Sequence, residues 1–415
     1  MSVATDVGEE ATLDPAGVMG CFGNEVEVHR ITTEDGYILE VDRLLPRSST
    51  RGAKAKRAPL LLIHGLLSNA VAWVANLPSQ SPGTLVIIHS IRTRLASSSL
   101  RNVKKKWKSS PYFDEIGRYD LPAVVDYILN ATKAAKLGIL ATSQGTSATL
   151  VFLSMRPEYN DKINIFVAYG PVANLTHFTS PVRLLFPLAQ QLMVFMARNF
   201  VRFDYGLALN LIKYGQIKPP PYPLERIRVP VAIYYGLGDI FADPRDVTDL
   251  SVRLKDVLTR IPVYLAQQPA GMSTQNIIHY AQNYRAKNFK RYDYGFLKNS
   301  AVYGQHVYLS PYDDEVVQVS SCTHVFHALS MLLVTPPPFP LENIRSRIGL
   351  FRGPSDRLAD PADVDDLVKR IGQVVALNYY VPQQTFQHLD FVLGSYATDI
   401  VHNTMIQFVS NYSGT

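Results

Sequence analysis

The sequence predicts an α/β protein, a mostly parallel central sheet with helices covering its faces. Three observations predict it. Short continuous apolar runs such as Leu60-Leu61-Leu62-Ile63 have the pattern of strands buried on both sides. Segments of helical periodicity alternate with those runs. The 415 residues are 47% hydrophobic and 18% charged at a mean hydropathy of +0.01, which supports a sizeable core and excludes a disordered chain.

Taken in order, residues 1–24 are small or polar and read as a flexible lead-in. Residues 26–31 and 37–44 alternate around Glu34-Asp35-Gly36, a hairpin with an Asp-Gly turn. Strands are expected at 59–63, 84–88, 136–141, 163–167, 348–351 and 374–381, and helices at 119–130 and 144–155. Residues 180–203, rich in Leu, Phe and Met, read as helices of an inserted subdomain or as a lid with an apolar face. The expected organisation is thus a lead-in (1–24), an N-terminal part of the core (25–179), an inserted cap (180–290) and a C-terminal part of the core (291–415).

An internal repeat crosses that division. Residues 219–250 and 336–367 share 17 identities in 32 positions at an offset of 117, pairing Gly236 with Gly353 and Asp239 with Asp356. Two copies are too few for a solenoid, so this is a duplicated piece of one domain.

Charge and cysteine usage exclude several function classes. Lys+Arg 41 against Asp+Glu 35 leaves +6, a mild surplus. The basic stretch with Arg101, Lys104, Lys105, Lys106 and Lys108 reads as a solvated loop, and no nucleic-acid partner is expected. Cys21 and Cys322 are too few for a disulfide scaffold or a cysteine-based zinc module. No apolar run is long enough to cross a membrane. Met1–Glu10 lacks the basic start and apolar core of a secretory signal, which taken literally reads as cytosolic.

The chemistry concentrates in three places. The run Leu137-Gly138-Ile139-Leu140 leads into Ala141-Thr142-Ser143-Gln144-Gly145 and then a helix. That is the strand–turn–helix setting of a nucleophile elbow, where a sharp turn lifts a serine hydroxyl above the sheet, or else Ser143 is a plain loop serine. Ala141 stands where glycine is usual and adds a methyl in a tight place. The second is His64-Gly65-Leu66-Leu67 after a strand, where the backbone N–H of Leu67 could join that of Gln144 in an oxyanion hole. The third pairs His388, on a loop before a helix, with Asp356 in a turn after a strand. His388 is a candidate general base, or a loop histidine bonded to Asp390; Asp356 is its candidate orienting carboxylate, or an ordinary turn aspartate. The order Ser…Asp…His is that of the α/β-hydrolases.

With these residues in view, the chain resembles the acid lipases, the gastric and lysosomal enzymes and their invertebrate relatives. The matching strings are Thr33-Glu34-Asp35-Gly36-Tyr37, His64-Gly65-Leu66-Leu67, Tyr119-Asp120-Leu121-Pro122-Ala123, Ser143-Gln144-Gly145-Thr146, Gly170-Pro171-Val172-Ala173 and His388-Leu389-Asp390-Phe391. The resemblance implies an α/β-hydrolase fold with an inserted helical cap, acting at a lipid–water interface on triacylglycerol or cholesteryl esters. It implies the triad Ser143, Asp356 and His388, an oxyanion hole from Leu67 and Gln144, no metal or organic cofactor, and a secreted or lysosomal location. The departures are specific. The family's Gly-His-Ser-Gln-Gly elbow has Ala141 and Thr142 in its first two places. One central strand is expected to be lost or replaced between Pro78 and Tyr119. The aspartate motif occurs twice, which leaves Asp239 as a rival to Asp356. A catalytically impaired lipid-binding relative is the alternative expectation.

Overall fold

The computed structural model describes residues 25–45, 58–85, 88–92, 112–180, 274–303 and 335–412, with Pro15–Cys21 and the single positions 13, 23 and 264. Among them eight strands form one sheet: β1 (Glu25–Thr32), β2 (Ile38–Leu45), β3 (Leu60–Ile63), β4 (Ile88–Arg92), β5 (Leu137–Thr142), β6 (Ile163–Tyr169), β7 (Ile348–Arg352) and β8 (Val375–Tyr380). Their order is β1-β2-β4-β3-β5-β6-β7-β8. The β1–β2 hairpin and the β2–β4 pair are antiparallel, and every pairing from β4 to β8 is parallel. This is the α/β-hydrolase fold.

Strand β3 is apolar at all four positions, and β5, β6 and β7 are largely so, because both faces of the sheet are covered. Side chains alternate across a strand, so Leu61 and Ile63 of β3 enter one apolar cluster while Leu60 and Leu62 enter the other. The first cluster packs under α1 (Leu121–Thr132), α2 (Gln144–Met155), α3 (Thr274–Ala286) and α4 (Pro361–Ile371). The second packs on Trp73 and α5 (Asn403–Ser410), through Met405 and Phe408. Helix α4 has a full set of end signals: the Asp360 side chain accepts from the Ala362 N–H at 3.0 Å, Pro361 opens the first turn, and Lys369 and Arg370 lie in the last.

Several expectations need correction. The flexible lead-in is tied down at Pro15–Cys21, a helix whose Val18 and Met19 are fully buried against the second cluster. Residues 82–85 are helical, with Pro82 in the first turn, and the strand expected at 84–88 lies at Ile88–Arg92 instead. That strand pairs antiparallel with β2 and parallel with β3. Of the two outcomes expected for that central position, loss or replacement, the structure shows it filled by this strand. Most of the expected cap, residues 181–263, falls outside the described residues, as do the first repeat copy with Asp239 and the basic residues of 93–111. The second copy supplies β7, the turn carrying Asp356 and α4.

Candidate active site

Parallel strands direct their C-terminal ends to one edge of the sheet, and that is where the singled-out residues gather. In spatial order, β3 leads to His64–Leu67, β5 to Ser143, β6 to Gly170, β7 to Asp356 and β8 to His388.

Ser143 occupies the single position between β5 and α2, at φ 53° and ψ −121°. A positive φ is uncommon for a residue with a side chain, and holding one in such a region costs about 1–3 kcal/mol. The strain is held by contacts on both sides. The Ser143 N–H donates to the Tyr169 carbonyl at 3.1 Å, and its own carbonyl accepts from the Thr146 N–H at 2.9 Å and the Thr146 hydroxyl at 2.5 Å. Two glycines make the turn possible. A Cβ on Gly145 would lie 2.5 Å from the Ile63 carbonyl oxygen, and one on Gly65 would lie 3.0 Å from the Ser143 Cβ. Ala141 is fully buried in the ladder opposite Ile63 and Ala168, so the elbow forms with that methyl in place.

The loop after β3 curls against this serine. The His64 Nδ1–H donates to the Gly65 carbonyl at 2.9 Å, and burial pulls the His64 pKa down, which keeps the ring neutral. Leu67 follows at φ 58°, a second side-chain-bearing residue in the left-handed region. Gln144 is the first residue of α2, where backbone N–H groups lack intrahelical acceptors and the helix dipole favours negative charge.

Asp356 and His388 meet across the ends of β7 and β8. The His388 Nδ1 lies 2.7 Å from Asp356 Oδ2, and both residues are buried. The other carboxylate oxygen, Oδ1, accepts the N–H groups of Leu358 at 2.9 Å and Ala359 at 2.8 Å. With a carboxylate accepting at Nδ1, the proton sits there and Nε2 carries the lone pair. That Nε2 is buried and has no hydrogen-bond partner among the described residues. Asp390, the competing partner for His388 on sequence grounds, accepts instead from the Gln387 N–H at 2.7 Å and so shapes the loop. Phe386 and Phe391, both fully buried with rings 4.8 Å apart, anchor that loop on either side of the histidine.

In the sequence Gly170 is only one member of a matching string, yet it sits at the centre of the arrangement at φ +53°, against the His388 ring. Its signal in the sequence is only a glycine closing an apolar strand run. A separate group, His177, Asp363 and Asp366, brings possible ligand atoms within 4.8 Å of one another. Asp363 is already occupied, accepting from the backbone N–H groups of Thr176 at 2.9 Å and His177 at 3.0 Å, so the group ties the loop after β6 to α4.

Comparison with known proteins agrees with the fold. Residues 18–77 match a family model described as a partial α/β-hydrolase lipase region. The chain is similar to lipase member K of Homo sapiens, 27% identical, with 97% of this chain and 92% of that protein covered. It is 26% identical to gastric triacylglycerol lipase of Homo sapiens, with the same coverage of each. It is 25% identical to lysosomal acid lipase/cholesteryl ester hydrolase of Homo sapiens, over 98% of this chain and 93% of that one.

Proposed function

We propose that this relative of the acid lipases is a serine hydrolase of lipid carboxylic esters, working through Ser143, His388 and Asp356. The observation that carries the reading is the His388–Asp356 pair: a 2.7 Å hydrogen bond at Nδ1 leaves Nε2 as a buried, unpartnered base. As the Ser143 oxygen attacks the ester carbonyl, Nε2 takes its proton and Asp356 stabilises the imidazolium. The carbonyl electron pair moves onto oxygen, facing the backbone N–H groups of Leu67 and Gln144. Collapse breaks the ester C–O bond, and His388 returns the proton to the departing alcohol. Water then attacks the acyl-enzyme in the same way and regenerates the serine.

An apolar ester suits the surroundings. Leu67 and Leu389 lie on the loops after β3 and β8, which bracket the serine, and are 37% and 61% exposed. Triacylglycerols and cholesteryl esters are the substrate classes we assign, at a lipid–water interface and with no cofactor. A fluorophosphonate probe tests the reading. Labelling of the wild type that disappears in Ser143→Ala, with hydrolysis of emulsified triacylglycerol lost in parallel, is the expected result. A folded wild type that takes no label would overturn it and leave a non-catalytic lipid binder.

A further inference from the structure

We propose that Gly170 is a positioning residue, and that its missing side chain is the space in which the His388–Asp356 pair is seated. The proposal rests on the triad reading above. Its basis is one peptide group, that between Tyr169 and Gly170. The carbonyl of that group accepts from the Ser143 N–H at 3.1 Å, and its N–H donates to the Phe351 carbonyl of β7 at 3.0 Å. A single planar unit therefore sets the backbone spacing between the serine turn and the strand that leads to Asp356.

On the open side of that unit stand the imidazole and the carboxylate. A Cβ at Gly170 would lie 2.9 Å from His388 Nδ1, 3.0 Å from His388 Cε1 and 3.1 Å from Asp356 Oδ2. Ordinary contact at a Cβ begins near 3.4 Å, so even a methyl requires the pair to move. Neither partner has an easy direction of retreat. Asp356 is held by the Leu358 and Ala359 N–H groups, and the His388 loop by Phe386, Phe391 and the Asp390–Gln387 bond. A methyl must then lengthen the Nδ1–Oδ2 bond or swing Nε2 off its line.

The experiment compares Gly170→Ala with Gly36→Ala in the full chain. Gly36 also has a positive φ, +92°, but nothing lies within 4 Å of its would-be Cβ. Both variants carry backbone strain, and only the first touches the pair. Two readouts are taken: kcat and KM on a short-chain p-nitrophenyl ester, and the His388 Nδ1–H signal and ring titration by NMR. Gly170→Ala is expected to lower kcat by about 10²-fold with KM little changed, since a displacement of ~1 Å costs that much. It should also shift the Nδ1–H signal and the titration, while Gly36→Ala changes neither. Gly170→Asn, a residue that tolerates positive φ, repeats the comparison should the alanine variant not fold. A His388 titration and kcat like those of the wild type, or an equal loss in Gly36→Ala, would overturn the proposal. If the wild type itself does not hydrolyse esters, the triad reading fails and the NMR comparison alone decides the seating.

Discussion

At the scale of single residues, the division of labour between the two oxygens of Asp356 decides what a conservative change would do. Oδ1 takes two backbone N–H groups and Oδ2 takes the His388 Nδ1. In Asp356→Asn the amide oxygen is needed by Leu358 and Ala359, which turns the NH2 group towards His388. Two donors then face each other unless the ring moves its proton to Nε2, and a protonated Nε2 takes no proton from Ser143. The variant is expected to fold and to lose about 10⁴-fold in kcat, the cost of a wrong tautomer in such a triad. Ester turnover alongside far-UV circular dichroism checks it. The same substitution at Asp239 should leave kcat unchanged, and the reverse outcome would exchange the two aspartates.

At the scale of elements, the elbow depends on how closely α2 approaches β3. The two small positions flanking Ser143 are not equivalent. Ala141 lies within the ladder and its methyl is accommodated, whereas a Cβ at Gly145 would meet the Ile63 oxygen at 2.5 Å and the His64 oxygen at 3.0 Å. Both obstacles are backbone, and Ile63 is locked by its pairing with Ala141. Gly145→Ala should therefore destabilise by about 1–3 kcal/mol, the usual cost of overpacking, as read from urea unfolding. The same elements show what the sequence could convey. Strands β3, β5, β6 and β7 are legible because burial on both faces makes each a continuous apolar run. Strand β4 is not, since Ile88-His89-Ser90-Ile91-Arg92 mixes polar and apolar residues and its place is set by backbone pairing with β2 and β3. The helix at Pro15–Cys21 hides behind two glycines, and only the tertiary burial of Val18 and Met19 reveals it. Ser143, Asp356 and His388 could be picked by type and order, but the bond between the last two, and the seat at Gly170, are properties of neighbouring strand ends that no linear pattern carries.

At the scale of the whole molecule, two sets of buried groups outside the proposed triad pull stability in opposite directions as pH changes. Asp120 closes the turn of π-helix before α1, buried and with no hydrogen-bond partner for Oδ2 among the described residues. Burial raises its pKa well above the usual carboxylate range, and the nearby Asp35 and Glu115 raise it further; Tyr37 faces the same acidic group. Asp114, on the preceding turn, is also raised by burial, although Arg291 and Arg118 oppose the shift. A carboxyl raised in the fold holds a proton that the unfolded chain has released, so its contribution grows as pH falls through the raised value and is complete near ~4. The buried histidines behave oppositely. Burial pushes His279 and His402 down to about 3, and His402 is held neutral beside the Tyr169 hydroxyl, 3.1 Å from its Nδ1. The unfolded chain protonates these rings near ~6.5 while the fold does not, so stability is lost as pH falls below that point. Single substitutions separate the two effects. Asp120→Asn removes the cost of taking up a proton on folding and should raise the melting temperature most at pH 7–8, with the gain closing towards pH 4 (about the unfolded carboxyl pKa). His402→Asn forfeits ring packing at every pH but removes the acid penalty, so its deficit should shrink below pH ~6.5. Melting curves of the three proteins from pH 4 to 8 test both signs. Offsets that stay constant across the range would mean that neither group titrates differently in the fold.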